Sequence, residues 1–149
     1  MGIKTVVLFA VAVGLAVGAP VNLSGTWKLN LNDSSWGKKE RPTSVILTIE
    51  HHEPKLRISG TVAEANDGGD HFAFDGAIDG KSYESNAGQT FYKRVDDRTV
   101  ESSFRSKDGR YTEKATTKIS RDGRRLTRKI EVTRPDGRLE WTEVYDKQS

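Results

Sequence analysis

The sequence predicts an all-β fold: a single up-and-down antiparallel β-barrel of about eight to ten strands, preceded by an N-terminal signal segment. The tripeptide Asp-Gly-Arg occurs three times at 14-residue spacing, at 108–110, 122–124 and 136–138. Each copy precedes a run of β-forming residues, and Asp-Gly is typical of tight turns between paired strands. No part of the chain after the signal segment sustains the i, i+3, i+4 apolar pattern of a helix.

The consecutive hairpins favour a closed barrel over a β-sandwich, which is the alternative arrangement of many short strands. A meander that closes on itself removes its own free edges. We expect the arginines of the three repeats to line one rim of this barrel.

The first 19 residues are typical of a secretory signal peptide. Lys4 provides the basic start, Val6–Val17 form a short apolar run, and Gly18 and Ala19 are small residues near a cleavage point. This apolar run is short for a membrane span, although an uncleaved anchor is the alternative. We therefore predict a signal peptide at 1–19, a barrel domain at 20–149 with no membrane span after signal removal, and a secreted or periplasmic location.

The absence of cysteine from all 149 residues limits the chemistry available to the chain. It excludes disulfides, thiol nucleophiles and thiolate metal sites, so the domain depends on its core and its backbone hydrogen bonds for stability. One domain of this length is large enough to form its own core.

Alternating apolar and polar residues mark the strands before the repeats. The first strand has Trp27, Leu29 and Leu31 on one side, and the polar loop that follows it is too short for a pair of helices. The further strands are predicted at Val45–His51, Leu56–Val62, around Phe72 and Phe74, weakly around Tyr83 and Phe91–Tyr92, and at Thr99–Arg105.

The last hairpin is open to two registers. A four-residue loop over 134–137 places Arg128 opposite Glu143, on the same side as Trp141 and Tyr145. A three-residue loop would instead bring Lys129 to the apolar side. Because a one-residue slip exchanges the two sides of a strand, the apolar pattern favours the four-residue loop.

Gly25-Thr26-Trp27, on the first strand of this meander, resembles the Gly-x-Trp signature of the calycin superfamily, which contains lipocalins, fatty-acid-binding proteins and avidin-like proteins. The run 142–147 resembles the closing strand of fatty-acid-binding proteins, in which an Arg-x-Tyr pair holds the ligand carboxylate. The whole chain is similar to small exported lipocalin-like bacterial proteins. In this chain Glu143 replaces the family's arginine, while Tyr145 matches and Arg128 on the neighbouring strand is positioned to supply the cation.

The resemblance implies a lidless barrel that binds a small apolar or amphipathic molecule in its cavity, without catalysis and without a cofactor. An anionic ligand is among the alternatives, because a buried arginine can bind a carboxylate by charge-assisted hydrogen bonds. Alternatively, Arg128 and Glu143 neutralise each other, or both face water. The predicted ligand-binding residues are Arg128, Tyr145, Trp141, Glu143, Ile130 and Phe104; the predicted structural residues at the barrel end are Gly25 and Trp27.

A second hypothesis rests on charge. Residues 105–138 contain twelve lysines and arginines against five acidic residues, which suits contact with an anionic surface or polymer. Nucleic acid is not the expected partner, because the basic residues alternate with threonines and not with aromatics placed for base stacking.

Neither a metal site nor a catalytic site is predicted. His51 and His52 are adjacent on a strand and so point to opposite sides, which favours a surface or turn role for them. The sequence contains no Gly-x-Ser-x-Gly motif and no glycine-rich phosphate loop, so an enzyme would need acid–base groups that the sequence does not reveal.

Overall fold

The structure, a computed structural model, describes residues 19–149; residues 1–18, which hold most of the predicted signal peptide, lie outside the described residues. Ten strands make up the described chain: β1 Gly25–Leu29, β2 Ser44–His52, β3 Lys55–Ala63, β4 Gly69–Ala77, β5 Ser82–Glu84, β6 Gly88–Asp96, β7 Thr99–Ser106, β8 Thr112–Ile119, β9 Arg125–Arg134 and β10 Gly137–Lys147. None of the described residues forms a helix, and therefore none forms a helix long and apolar enough to cross a membrane.

The strands form one antiparallel sheet in the order β4-β3-β2-β1-β10-β9-β8-β7-β6-β5. Consecutive strands pair with each other except β4 and β5, and β1 pairs with β10, where Trp27 is opposite Lys147. Near the edge strands β4 and β5, an isolated bridge joins Ile78, which follows β4, to Tyr92 of β6, and the ring centroids of Phe74 and Tyr92 lie 4.6 Å apart. The predicted up-and-down barrel is confirmed, and it is nearly closed.

The meander gives the barrel two distinct ends, because successive turns lie at opposite ends. At the Trp27 end, the indole is fully buried and donates from Nε1 to the Leu23 carbonyl at 3.0 Å. At the other end, residues 30–43 connect β1 to β2; we call them the 30–43 segment. This segment contains no helix, as predicted, and Ser35 pairs with Thr142 of β10.

Two apolar clusters fill much of the barrel. The larger one lies toward the Trp27 end, and the smaller one consists of Ala115, Ile130 and Val132, with Tyr111 and Trp141 packed against it. The larger cluster comprises Leu23, Trp27, Leu29, Val45, Leu47, Ile49, Leu56, Ile78, Val100, Ile119, Leu126 and Tyr145. Alternate residues of the strands supply both clusters, because side chains of a strand point to opposite sides in turn.

The first two Asp-Gly-Arg repeats form the same turn. Ser106 donates to Asp108 Oδ1 at 2.6 Å and accepts the Tyr111 N–H, and Ser120 makes the matching bonds with Asp122 and Arg125. Gly109 and Gly123 have φ angles of 69° and 70°, which glycine adopts most readily.

The third repeat forms a different turn, because Arg134 occupies the position of the serine. Here Arg134 pairs with Gly137, so only two residues lie between β9 and β10. The second repeat connects β8 to β9 at the Trp27 end, and the other two lie at the opposite end. The prediction that the three arginines line one rim was therefore wrong, since consecutive turns of a meander alternate between ends.

The register predicted for the last hairpin is confirmed: Arg128 is opposite Glu143, Ile130 opposite Trp141 and Leu126 opposite Tyr145. The predicted loop was two residues too long, because the strands continue to pair up to Arg134 and Gly137.

The surface or turn role predicted for His51 was wrong, because only 3% of this residue is exposed. Its Nδ1 accepts the Leu23 N–H at 3.1 Å, and its Nε2 lies 2.5 Å from Glu53 Oε2. Arg94 donates to both oxygens of Glu53, from Nε to Oε1 and from Nη2 to Oε2. His51 therefore fixes the chain that enters β1, whereas His52 is exposed.

Candidate functional site

A group of polar side chains lies inside the barrel, between the two apolar clusters. We call Glu113, Arg128, Glu143 and Tyr145 the polar cluster. They come from β8, β9 and β10, and the registers of these strands place all four side chains on the inner side of the sheet. The sequence places charged residues inside here because each of them alternates with outward-facing neighbours along its strand.

Glu143 is the centre of the polar cluster. Its Oε2 accepts a hydrogen bond from the Tyr145 hydroxyl at 2.7 Å, and its Oε1 accepts one from Trp141 Nε1 at 2.8 Å. Arg128 Nη1 lies 3.4 Å from Oε2, and the Glu143 side chain is only 12% exposed. A buried carboxylate is stable in this position because each oxygen has a donor.

Arg128 lies between two carboxylates. Its Nη1 faces Glu143, and its Nη2 lies 3.3 Å from Glu113 Oε1. Burial disfavours the charge, but the two carboxylates and the nearby Tyr145 hydroxyl outweigh it, so the pKa of Arg128 is raised. The guanidinium is therefore charged and paired inside the barrel.

The tyrosines around this cluster are held in their neutral form. Burial raises the pKa of Tyr145 well above its ordinary value, and the Glu143 carboxylate adds to this effect. Burial, and then the charge of Glu113, likewise raises the pKa of Tyr111, whose hydroxyl donates to Glu113 Oε2 at 3.2 Å. Both hydroxyls act as hydrogen-bond donors to carboxylates and not as bases.

Sequence reasoning missed Glu113 and Tyr111. The signal that identifies Glu113 is weak: Ala115 and Ile119 are the only apolar residues in β8, and they share its side of the strand. The 14-residue repeat does not predict that Glu113 faces inward. After the second Asp-Gly-Arg, the inward-facing positions of the strand are shifted by one residue relative to those after the first and third copies.

A cavity of about 170 Å³ lies under the 30–43 segment, next to the polar cluster. Arg128, Glu143 and Tyr145 form its polar wall. The rest of its lining comes from the 30–43 segment and from β2, β3 and β4: Trp36, Lys39, Glu40, Arg41, Pro42, Val45, Val62, Glu64, Ala65 and Phe72. Among residues 19–149, the buried Nε1 of Trp36 finds no hydrogen-bond acceptor.

A larger concavity, of about 790 Å³, crosses the outer side of β6–β10. Its lining includes the outward-facing residues Phe91, Lys114, Lys129 and Glu131. Along the strands, these residues alternate with the row that contains Ala115, Ile130 and Trp141. It is open to solvent along the outer side of the sheet, whereas the smaller inner cavity adjoins the buried polar cluster and is therefore the better candidate site.

The six predicted ligand-binding residues all lie on the inner side of β7–β10, but only three of them line the inner cavity. Arg128, Glu143 and Tyr145 line the inner cavity, and Trp141 joins them through its bond to Glu143. Ile130 is buried in the smaller apolar cluster, and Phe104 packs against Tyr111 with ring centroids 6.0 Å apart. Of the four residues predicted to line the cavity, Tyr145 lines the inner cavity, Trp141 and Ile130 line the larger concavity, and Phe104 lines neither.

The predicted structural pair lies at the other end of the barrel. Lys147 passes close to Gly25, where a Cβ atom would lie 2.6 Å from Lys147 Cε. The Lys147 ammonium is 5.4 Å from the centre of the Trp27 ring, in the range of a cation–π contact. These contacts hold the end of β10 against β1.

The basic segment 105–138 does not form one cationic surface. Arg128 points inward, and Arg125, Arg134 and Arg138 are paired with acidic neighbours. The other basic residues are divided between the two ends and the outer side of β7, β8 and β9. Within residues 19–149, no group of three or more histidine and acidic residues is arranged to hold a metal ion.

The fold is similar to several solved structures. It aligns with the wild-type fluorescent protein UnaG at a TM-score of 0.56 and 15% identity, covering 84% of this chain and 96% of that one. It aligns with zebrafish ileal bile acid-binding protein, crystallised with cholic acid, at a TM-score of 0.55 and 13% identity. This alignment covers 85% of this chain and 98% of that one. The alignment with a secretory abundant heat soluble protein from Ramazzottius varieornatus has a TM-score of 0.54 and 9% identity. It covers 84% of this chain and 94% of that one.

These similarities show that the chain shares the small β-barrel fold of these proteins, which is the fold that the Gly-Thr-Trp resemblance implied. No family model and no curated protein sequence matches the chain. The likeness therefore lies in the fold, at identities of 9–15%.

Proposed function

We propose that this protein binds a small apolar or amphipathic molecule inside its barrel, under the 30–43 segment, without catalysing a reaction. The observation that carries this proposal is the position of Arg128: it points into the barrel and lines the cavity together with Tyr145. An outward-facing Arg128 would have favoured binding to an anionic surface through the basic strands instead.

The cavity has an apolar wall and a polar wall. Val45, Val62 and Phe72 offer apolar contacts on one side, and Arg128, Glu143 and Tyr145 offer donors and acceptors on the other. Four further charged residues complete the lining: Lys39, Glu40, Arg41 and Glu64. A pocket that is mainly apolar with a few polar groups is the usual form of a small-molecule site. Its ligand would place its polar end toward Arg128 and Glu143.

The size of the cavity implies that the 30–43 segment moves when a ligand enters. The volume of about 170 Å³ is below the ~300 Å³ at which ligand sites usually begin. Residues 30–35 and Thr43 hold the two ends of the segment to the strands, through bonds that include the Ser35–Thr142 pairing, Ser34 Oγ with the Val144 N–H, and Thr43 with the Ala63 carbonyl. Within the described part of the chain, residues 36–42 make no hydrogen bond to a strand, so we expect this middle part of the segment to be displaced.

The structural neighbours support the proposal at the level of the fold. The zebrafish protein was crystallised with cholic acid, which shows that a barrel of this shape can hold an amphipathic molecule. At identities of 9–15% the neighbours support the fold and leave the ligand of this chain open. They are a fluorescent protein, a heat soluble protein and a bile acid-binding protein, which supports a role without catalysis.

Native mass spectrometry of protein purified from its own host tests the proposal, together with binding of the uncharged fluorescent dye Nile red. We expect a co-purifying small molecule, or dye fluorescence that a Val62→Trp substitution abolishes by filling the cavity. Thr61→Trp is the matched control, since Thr61 lies on the outer side of the same strand. No retained molecule and no dye binding, or equal binding by both variants, would overturn the proposal.

We also propose that the protein is exported after removal of residues 1–19. The basic start, the short apolar run and the small residues of this segment support export. Intact mass measurement of protein recovered outside the cytoplasm is expected to give a chain that begins near residue 20. A recovered chain that retains residues 1–19 would contradict it.

A further inference from the structure

We propose that the cavity binds uncharged molecules that carry a hydrogen-bond acceptor, such as ketones and esters, and that the Trp36 indole N–H selects them. This inference rests on the proposed function and names its ligand class. It follows from the hydrogen bonds and charges of the lining residues, in which one buried donor lacks an acceptor while the charges balance.

The three indole N–H groups of the chain differ in their partners. Trp27 Nε1 donates to the Leu23 carbonyl at 3.0 Å, and Trp141 Nε1 donates to Glu143 Oε1 at 2.8 Å. Trp36 Nε1 is buried and finds no acceptor in the part of the chain that the structure describes. A buried donor without a partner loses its bond to water and gains no other, which destabilises the closed cavity. A ligand atom that accepts this bond would remove the penalty.

Trp36 lies close to the polar wall of the cavity. It follows Ser35, which pairs with Thr142, and Thr142 precedes Glu143 in β10. It also belongs to the middle part of the 30–43 segment, which we expect an entering ligand to displace. This displacement would bring the indole N–H to the space that the ligand occupies, where an oxygen of the ligand supplies the missing acceptor.

The charges of the lining favour no charged head group. Cations and anions are equal in number: Lys39, Arg41 and Arg128 against Glu40, Glu64 and Glu143. Arg128 and Glu143 are paired with each other, while Glu40, Arg41 and Glu64 are exposed, so water screens them. A charged ligand would therefore lose its hydration on entry without meeting an excess of opposite charge. An uncharged head group avoids this loss.

The walls beside Trp36 suit an apolar body. Val45 and Val62 line the cavity from β2 and β3, and Pro42 lines it from the 30–43 segment. Phe72 is 40% exposed, although it lies on the inner side of β4 opposite Gly60. A ligand in the cavity would cover part of this ring and gain from its burial. The expected ligand is therefore an apolar molecule with an uncharged acceptor.

Isothermal titration at pH 7 with four small molecules tests the ligand class on the full barrel domain. Acetophenone, ethylbenzene, phenylacetate and 2-phenylethylamine share one aromatic ring and the same number of carbon atoms. They carry an uncharged carbonyl, no acceptor oxygen, a negative charge and a positive charge, respectively. We expect acetophenone to bind about tenfold more tightly than either charged molecule, since neither charge is compensated in the cavity. A tighter complex with phenylacetate or 2-phenylethylamine would overturn the inference.

A pair of variants tests the role of the indole N–H. Trp36→Phe keeps an aromatic ring and removes the donor, and we expect it to lower the affinity for acetophenone relative to ethylbenzene about fivefold, the net effect of one neutral hydrogen bond. The ratio is compared because ethylbenzene is the more apolar molecule. Phe72→Leu is the control, since it alters the apolar lining without removing a donor and should weaken both complexes to a similar extent. An unchanged ratio in Trp36→Phe, or the same change of ratio in both variants, would overturn the role of Trp36.

NMR of the indole N–H groups gives a second readout on the unmodified protein, which decides the inference even if Trp36→Phe does not fold. Acetophenone is expected to shift the Trp36 proton signal downfield, because a new hydrogen bond deshields the proton. The Trp27 signal should stay in place, since its N–H is already bonded to the Leu23 carbonyl. The same response of Trp36 to ethylbenzene would overturn the inference.

The outcomes separate this inference from the proposed function. If none of the four molecules binds, no molecule co-purifies and Nile red does not bind, the proposed function fails and this inference fails with it. If the cavity binds any of these and the preference for acetophenone is absent, only the ligand class is wrong. A co-purifying molecule that is charged, or that lacks an acceptor, would likewise overturn the ligand class alone.

Discussion

Arg128 and Glu143 lie directly opposite each other on β9 and β10, and both side chains point into the barrel. Arg128 Nη1 is 3.4 Å from Glu143 Oε2, and Glu113 contacts the other terminal nitrogen of the same guanidinium. The three charges depend on one another, because each is stable in the barrel only while its partners are present.

Arg128→Met is expected to destabilise the fold by about 3–5 kcal/mol, since it leaves two partly buried carboxylates without their cation. Urea unfolding at pH 7 measures this loss. Lys129→Met, at the adjacent exposed position, is the control and should change the free energy of unfolding by less than about 0.5 kcal/mol. Similar stability of the two variants would show that Arg128 is not a structural part of the barrel.

Trp27→Ala is expected to cost about 3–5 kcal/mol, because it opens a cavity in a fully buried site and removes the hydrogen bond to the Leu23 carbonyl. The same substitution at the half-buried Trp36 should cost less. Thermal unfolding of both variants makes the comparison. A larger loss at Trp36 would contradict the assignment of the main core to the Trp27 end.

Gly88→Ala is expected to destabilise the barrel more than Gly123→Ala. A Cβ atom on Gly88 would collide with the backbone carbonyl of Arg105 on the paired strand, whereas Gly123 has no atom within 4 Å of that position. Overpacking of this kind costs about 1–3 kcal/mol, and more where backbone must move. The denaturant midpoints of the two variants show which substitution destabilises the barrel more. A lower midpoint for Gly123→Ala would show that the turn at Gly123 is the more constrained site.

Ser106→Ala and Ser120→Ala should each destabilise the protein by about 1 kcal/mol, since each serine donates one hydrogen bond and accepts another across its turn. Ser103→Ala, within β7, has no such bonds to lose and serves as the control. Urea unfolding provides the measurement, and a neutral result at both turns would show that Asp-Gly alone determines them.

Acid should weaken the Trp27 end through Glu53. The hydrogen bonds from Arg94 lower the pKa of Glu53 below its ordinary value of 4.5, against an opposing effect of burial, and His51 lowers it further. A carboxyl group with a lowered folded-state pKa stabilises the fold above its unfolded pKa and loses this contribution as the pH falls through the folded value.

The stability difference between the native chain and Glu53→Gln should therefore be largest near neutral pH and should shrink below about pH 4.5. Urea unfolding at a series of pH values from 7 to 3 measures it. Glu50→Gln, at an exposed position on β2, is the control. A difference that grows on acidification would show that Glu53 is not held as the ionised partner of Arg94.

Local signals in the sequence were sufficient for the class of fold and for the last hairpin. Asp-Gly turns and alternating strands gave the meander, and the apolar pattern of Leu126, Ile130 and Trp141 chose the register, because a slip would have exposed all three. The weak strands β5 and β6 were harder to place, since β5 has three residues and depends on pairing with β6.

The position of the cavity could not be predicted in the same way. It depends on where the 30–43 segment crosses the open end, and that segment is held by contacts distant in the chain, such as the pairing of Ser35 with Thr142. Glu113 joined the site for a similar reason, because its side of β8 is determined by pairing with β9 and only weakly by its own residues.

The sequence by itself determined that this chain forms a β-barrel and that Arg128 and Glu143 are a cross-strand pair, since both follow from local periodicity and turn chemistry. Only the tertiary structure decided that a second carboxylate flanks Arg128, that His51 is buried, and that the inner cavity lies against β2–β4. These features depend on the curvature and closure of the sheet, which bring together residues up to about a hundred positions apart, and no local pattern records such distances.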